Sequence, residues 1–190
     1  MSEKPPNSRK SLWLILALCV APVVASYVAY FVAPPGGHTN YGELMSAPPL
    51  PETQLALADG GTFRMSALRG KWVLLMADAA DCGEACERKL FTLRQLRLAQ
   101  GKDMERIERV WLISDKGMIA PKLSEAYRGT LFVRTDGSEV LKRLPAERPV
   151  DEYLYVLDPL GNVVLRYTRE ADPRKIIKDL TRLLKTSRIG

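Results

Sequence analysis

The apolar and polar positions divide the chain into an N-terminal apolar run and a longer region in which strand and helix patterns alternate. Residues 12–32 carry no charge. An α-helix rises about 1.5 Å per residue, so a helix over this run is long enough to span the ~30 Å hydrocarbon core of a bilayer. Basic residues precede the run, and the first charge after it is Glu43. The positive-inside rule therefore predicts a cytoplasmic tail over residues 1–11, a transmembrane helix over residues 12–32 and a chain that continues across the membrane.

A cleaved signal peptide is the alternative interpretation of this run. A positively charged start and an apolar centre are both present. The uncharged run is, however, longer than the apolar centre of about 7–15 residues that signal peptides usually have, and no clear motif of small residues closes it. We therefore favour an uncleaved membrane anchor.

Residues 33–51 have the composition of a spacer. The segment contains PPGG near its start and PPLP at its end. Such a density of proline and glycine does not support a packed core. We expect a stalk over residues 33–51 and a folded domain over residues 52–190.

The region beyond the stalk has the pattern of an α/β domain. The runs WVLLMA at residues 72–77 and VWLI at residues 110–113 predict two strands that are buried on both faces. Apolar residues at three- and four-residue steps predict an amphipathic helix after Cys82, with its apolar face formed by Cys86, Leu90, Leu93, Leu96 and Leu98. The other expected elements are a hairpin over residues 55–65, a short helix at 121–127, a strand at 131–133, a hairpin over 153–167 and a closing helix that begins at Pro173. This order predicts an α/β domain of three layers around a central mixed sheet.

Composition excludes two classes of function. The net charge is +6, but basic and acidic residues are interleaved through the domain, and no aromatic-basic stripe is present. We therefore expect no nucleic-acid partner. The chain has one histidine, His38, which lies in the proline- and glycine-rich segment. Histidine-rich metal sites and Ser-His triads are therefore not expected.

Cys82 and Cys86 are the candidate functional residues. They lie between a predicted buried strand and the start of a predicted helix, with three residues between them. Two cysteines in this position indicate a redox pair or a soft-metal site. The helix N-terminus is expected to lower the pKa of Cys82, and Arg88 acts in the same direction. Three acidic neighbours oppose this shift, Asp81, Glu84 and Glu87, so the balance stays open.

Three roles remain open for the two thiols. A structural disulfide is one, because the domain is expected outside the cytoplasm, although so small a loop constrains the unfolded chain little. Thiol–disulfide exchange is the second. The third is Cu(I) binding by two soft thiolates, for which a methionine thioether from Met76 or Met118 could add a ligand. A methionine in or near a strand is more often part of the core, and we interpret these two in that way.

Two stretches of the domain resemble the Sco/SenC branch of the thioredoxin-like proteins. The string LRGKWVLL at residues 68–75, followed by paired cysteines, is similar to the opening of thioredoxin-like domains, and the three-residue gap is typical of the Sco branch. The string LYVLDPLG at residues 154–161 resembles a later Sco strand and turn. The resemblance implies a thioredoxin-like fold, a single-pass anchor in the bacterial inner membrane and a periplasmic domain. It also implies a role in assembling cytochrome c oxidase, with oxidase subunits or other assembly factors as partners.

One departure from the Sco pattern concerns copper. Sco proteins carry a copper-ligand histidine just before the later strand, where this chain has Val150-Asp151-Glu152. A carboxylate is a hard ligand and replaces imidazole poorly at Cu(I). We therefore expect a divergent Sco-like protein, an assembly factor that acts through Cys82 and Cys86 by thiol–disulfide exchange or transient Cu(I) handling. The alternatives are a general membrane-tethered thiol–disulfide oxidoreductase and a non-catalytic scaffold.

Overall fold

The computed structural model describes residues 8–32, 40–135, 138–187 and 189. Most of the expected cytoplasmic tail and the first part of the expected stalk, which includes His38, lie outside the described residues. The chain divides into two units, residues 1–39 and residues 40–190, and each has its own structure.

The first unit contains one long helix. Helix α1 runs from Ser8 to Val32, with Pro22 inside it. The segment Arg9–Val32 is long and apolar enough to cross a membrane, and its apolar side chains are exposed. Exposed apolar side chains along the whole helix suit contact with lipid, which is what the expected transmembrane helix requires.

The second unit is an α/β domain built on eight strands. The strands are β1 (Glu43–Leu44), β2 (Leu55–Leu57), β3 (Thr62–Phe63), β4 (Trp72–Asp78), β5 (Ile107–Ile113), β6 (Thr130–Arg134), β7 (Tyr153–Leu157) and β8 (Val163–Thr168). The helices are α2 (Glu84–Leu98), α3 (Pro121–Ala126) and α4 (Pro173–Thr186). The predicted order of elements is therefore confirmed, and β1 is an additional strand.

The strands form one mixed sheet in the order β1-β8-β7-β4-β5-β6-β2-β3. The three central strands β4, β5 and β6 are parallel. Strand β7 pairs antiparallel with β4, so the start of β7 at Tyr153 lies close to the end of β4. This arrangement brings the loop after β4, which carries Cys82, to the same end of the sheet as the loop before β7.

The two faces of the sheet are covered differently. One face packs against α2 and α4, through a core that includes Met76, Trp111, Leu90 and Leu180. The other face is covered by extended segments and short 3₁₀ turns that contribute Leu50, Met65, Leu68, Val140 and Leu144. The mixed sheet between two covering layers confirms the predicted three-layer thioredoxin-like fold.

The domain begins earlier than the sequence pattern predicts. Strand β1 pairs with β8, and the backbone N–H groups of Tyr41 and Gly42 donate to Oδ2 of Asp179 at 2.8 and 2.9 Å. Leu50 is buried in the core. Residues 40–50 therefore pack on the domain, which differs from the expected stalk boundary at residue 51. The reason is the buried carboxylate of Asp179, which needs the backbone N–H groups of this segment as donors.

Candidate functional site

Cys82 and Cys86 form a disulfide at the carboxyl end of β4, with a Cα–Cα distance of 5.2 Å. Helix α2 begins at Glu84 after its N-cap Gly83, so Cys82 precedes the helix and Cys86 lies in its first turn. Cys86 is buried, whereas Cys82 is half-buried. The two sulfur atoms of one bond therefore differ in their access to a partner.

The loop that carries Cys82 is held by the neighbouring loop after β5. Oδ1 of Asp115 accepts hydrogen bonds from the backbone N–H groups of Ala80 at 3.0 Å and Gly117 at 3.1 Å. The N–H of Cys82 donates to the carbonyl oxygen of Ala80 at 2.9 Å. A Cβ atom on Gly117 would lie 2.9 Å from Cβ of Ala80, which is too close for ordinary packing. These contacts fix the position of the half-buried cysteine.

A buried lysine lies one helical turn after Cys86. The side chain of Lys89 is 2% exposed, and its Nζ lies 2.8 Å from Oδ2 of Asp78. Nζ also donates to the carbonyl oxygens of Ala77, at 3.0 Å, and Asp151. Lys89 therefore joins α2, whose first turn carries Cys86, to the end of β4 and to the turn before β7.

The apolar face predicted for α2 is wrong at two positions, since it omits Lys89 and includes Leu98. The buried residues of the helix are Cys86, Lys89, Leu90, Leu93 and Leu96, whereas Leu98, expected on the apolar face, is exposed. The helical spacing contained the relevant signal, since a residue three after Cys86 and four before Leu93 falls on their shared face. A lysine on an apolar face needs a buried partner, and the sequence did not identify Asp78 as that partner.

Asp78 is the last residue of β4 and is tied down by several contacts. Its Oδ1 accepts the N–H of Ala79 at 2.9 Å, and its carbonyl oxygen accepts the N–H of Ser114 at 2.9 Å. The indole Nε1 of Trp111 lies 3.4 Å from the same carbonyl oxygen. The Asp78 side chain is 18% exposed. A mostly buried carboxylate at the end of β4 and a fully buried ammonium on α2 thus neutralise each other.

The surroundings of the α2 N-terminus include an exposed ion pair and a buried tyrosine. Arg88 pairs with Glu84 on the exposed face of α2. The hydroxyl of Tyr127 lies 3.4 Å from the carbonyl oxygen of Glu87. Burial raises the pKa of Tyr127, and the nearby Glu87 adds to the effect. The tyrosine therefore stays protonated and neutral at physiological pH.

A family model for a "transmembrane-like, thioredoxin-like, C-terminal domain" matches residues 72–187, from the start of β4 to the end of α4. The match covers more than half of the chain. The chain belongs to this thioredoxin-like family. A search of curated proteins found no significant match to the chain's sequence.

Solved structures similar to this thioredoxin-like protein include Sco proteins. Yeast Sco1 with copper bound has a TM-score of 0.61 at 16% identity, over 77% of this chain and 96% of that chain. Bradyrhizobium japonicum ScoI with copper bound has a TM-score of 0.53 at 20% identity, over 72% of this chain and 98% of that chain. Apo Sco1 from Thermus thermophilus has a TM-score of 0.58 at 19% identity, over 78% of this chain and 99% of that chain. At these identities the likeness establishes the fold, which confirms the predicted Sco-like architecture.

The residues at the site of this thioredoxin-like protein do not fit a copper centre with two thiolates and an imidazole. Among the described residues, no group of three or more His, Cys, Asp and Glu side chains could hold a metal ion. At the position where the Sco pattern has histidine, Glu152 pairs with Arg148 at 3.7 Å. Met76 is fully buried in the core, as expected, whereas Met118 is 90% exposed and was wrongly assigned to it. Among the described residues assigned to the site, the soft donors are the two cysteine sulfurs.

Proposed function

We propose that this protein is a membrane-tethered thioredoxin-like protein that exchanges disulfides through Cys82 and Cys86 outside the cytoplasm. The observation that carries the proposal is the asymmetry of the pair. Cys82 precedes the helix in a fixed loop and is half-buried, whereas Cys86 is 3% exposed in the first turn of α2. A partner thiolate can therefore reach one sulfur and displace the other.

The exchange takes place in two steps, in which atoms and electrons are conserved. A thiolate of a partner dithiol attacks Sγ of Cys82, the Cys82–Cys86 bond breaks, and Cys86 leaves as a thiolate. The second partner thiol loses its proton and attacks the mixed disulfide, and Cys82 leaves as a thiolate. The partner dithiol is oxidised to a disulfide, and the Cys82–Cys86 disulfide is reduced by the same two electrons. The reverse sequence reduces a partner disulfide.

We further propose that the partners are oxidase subunits or other assembly factors of cytochrome c oxidase, at the periplasmic side of the bacterial inner membrane. Support comes from the Sco-like fold and from α1, which is long and apolar enough to anchor the chain. Transient Cu(I) handling is a second candidate, favoured by the presence of copper in similarly folded Sco structures. The donors present limit such handling to two thiolates, so we place exchange first.

A redox titration tests the proposed exchange. The full chain, purified in detergent micelles, is equilibrated with glutathione buffers and its thiols are counted. Cys19, the free cysteine in α1, is removed as Cys19→Ser so that only the pair is measured. We expect a potential above about −300 mV, the range in which glutathione exchanges with a labile disulfide. A disulfide that stays intact well below that value would favour the scaffold and overturn the proposal.

Trapping and metal titration distinguish the partner classes. In Cys19→Ser/Cys86→Ser membranes, the mixed disulfide formed at Cys82 cannot be resolved, so partners stay attached. Oxidase subunits or assembly factors among the trapped proteins support the assembly role, whereas a broad set of unrelated proteins supports the general oxidoreductase. Anaerobic Cu(I) titration of the reduced Cys19→Ser chain, with Cys82→Ser as the matched control, tests copper handling. Stoichiometric binding that the control lacks would move copper handling to first place.

A further inference from the structure

The buried Lys89 has more hydrogen-bond partners than a surface lysine on a helix usually has. Its ammonium has three oxygen partners: Oδ2 of Asp78 and the carbonyl oxygens of Ala77 and Asp151. Burial of a lysine is costly unless its charge is paired and hydrogen-bonded, and both conditions are met here. The exchange reaction as described above does not use this group.

The ammonium is directed toward the cysteine end of α2. Side chains of a helix tilt toward its N-terminus, so the Lys89 side chain extends back toward the turn that contains Cys86. Its contact with the carbonyl oxygen of Ala77 places the charge at the carboxyl end of β4, where the loop to Cys82 begins. Cys86 and Lys89 also share the buried face of the helix, three residues apart.

The charges at this place change when the disulfide opens. In the oxidised protein, the sulfurs are neutral, and Lys89 and Asp78 balance each other at 2.8 Å. Opening of the bond leaves a negative charge on Cys86, which is buried and cannot be stabilised by bulk water. A nearby ammonium favours the thiolate, and a nearby carboxylate opposes it.

We propose that Lys89 is a positioning residue whose ammonium stabilises the Cys86 thiolate released during exchange, and that Asp78 limits this effect by holding part of the same charge. This inference rests on the proposed function. The pair then sets the redox equilibrium of the disulfide: Lys89 shifts it toward the reduced form, and Asp78 shifts it back.

Substitution of the two partners tests the proposal, because an electrostatic role predicts shifts of opposite sign. Lys89→Met and Asp78→Asn, alone and combined, are made in the full-length Cys19→Ser chain and equilibrated with glutathione at neutral pH. We expect Lys89→Met to shift the equilibrium about tenfold toward the disulfide, which lowers the potential by about 30 mV. Asp78→Asn is expected to shift it severalfold toward the dithiol, and the double variant to lie between the two.

The possible results distinguish a failure of the proposed role of Lys89 from a failure of the proposed disulfide exchange. Shifts of the same sign in both single variants, or no shift, would overturn the role of Lys89 while the parent chain still exchanges. A parent disulfide that does not equilibrate at all would overturn the proposed function, and the inference with it. Asp78→Asn preserves the shape of the side chain, so its sign tests the proposal even where Lys89→Met does not fold.

Discussion

Two buried cations lie on opposite faces of the sheet, and their surroundings differ. Arg166 of β8 is 5% exposed and pairs with Glu43 at 2.6 Å and Glu147 at 3.0 Å. Its guanidinium also lies 4.6 Å from the centre of the Tyr153 ring. Lys89 is 2% exposed and has one carboxylate partner, Asp78.

The partners of Arg166 are distant in the chain and exposed at their tips. The side chains of Glu43 and Glu147 are 54% and 79% exposed, and they belong to β1 and to the loop that precedes β7. Arg166 also donates to the carbonyl oxygen of Pro145 at 3.0 Å. Its contacts hold separate segments against the sheet, and no cysteine belongs to this cluster.

Burial of a cation does not by itself indicate a role in function. Both cations are fully paired, so both contribute to the fold. Of the two, only Lys89 shares a buried helix face with a group, Cys86, whose charge changes in the proposed reaction. We therefore expect substitution of Arg166 to change stability alone, and substitution of Lys89 to change both stability and the redox equilibrium.

The largest expected effect in the domain's stability comes from Arg166→Met. The substitution removes two ion pairs, a hydrogen bond and the contact with Tyr153, while the exposed carboxylates regain water. We expect a loss of about 3 kcal/mol in the free energy of unfolding, measured by urea denaturation of the full chain in micelles. The glutathione equilibrium of the pair should stay within twofold of the parent. A shift as large as that expected for Lys89→Met would show that Arg166 also influences the redox equilibrium of the disulfide.

Gly42→Ala tests the segment that Arg166 helps to hold. A Cβ atom at residue 42 would lie 2.5 Å from Cε1 of Tyr167, whose ring is buried and cannot move freely. We expect a loss of about 2 kcal/mol from overpacking, with faster proteolysis of residues 40–50. Gly83→Ala is the control without a steric clash, because a Cβ atom there meets open space, and its N-cap position limits the expected loss to at most about 1 kcal/mol. Equal stability of the two variants would show that residues 40–45 are not packed as described.

Alkaline pH is expected to weaken both regions through buried tyrosine hydroxyls. Burial raises the pKa of Tyr167, with a further contribution from Asp179, and burial raises the pKa of Tyr127. A raised folded-state pKa stabilises the protein fully below the unfolded value of about 10, and the stabilisation is lost as pH rises through the folded value. Unfolding measured from about pH 8 to pH 11 should show this decline. Tyr127→Phe should reduce its slope, and an unchanged slope would argue against burial of that hydroxyl.

Arg88→Met is expected to have the smallest effect. Arg88 follows Cys86 by two residues, but its side chain is 66% exposed and it pairs with the exposed Glu84. Solvent screens such a pair, so we expect a change of at most about 0.5 kcal/mol in stability and less than a twofold shift in the glutathione equilibrium. The variant is the matched control for Lys89→Met, since the two remove adjacent charges that differ mainly in burial. Equal shifts of the glutathione equilibrium in Arg88→Met and Lys89→Met would show that the burial of Lys89 does not matter for the redox equilibrium.

Much of the fold could be predicted from the pattern of the chain. The strands at Trp72 and Val110 are continuous apolar runs, and the hairpin after Tyr153 has a turn with Asp158 and Gly161, so each was placed within a few residues. Strand β1 was not predicted. It is two residues long and has exposed side chains, so its sequence lacks the apolar alternation that would predict a strand. It forms because the edge of β8 offers unpaired backbone groups.

The position of the two cysteines between a buried strand and a helix could be predicted from the sequence alone, because it depends on local spacing and local apolar periodicity, whereas their disulfide was one of three open roles. Composition likewise shows that residues 52–190 contain no histidine ligand, since His38 is the one histidine of the sequence. Only the tertiary structure decided that Cys82 and Cys86 differ in exposure, and that Lys89 points inward to Asp78 and to the turn at Asp151. These contacts join residues that are distant in the chain, and the stabilisation of a buried charge depends on the groups that surround it in space.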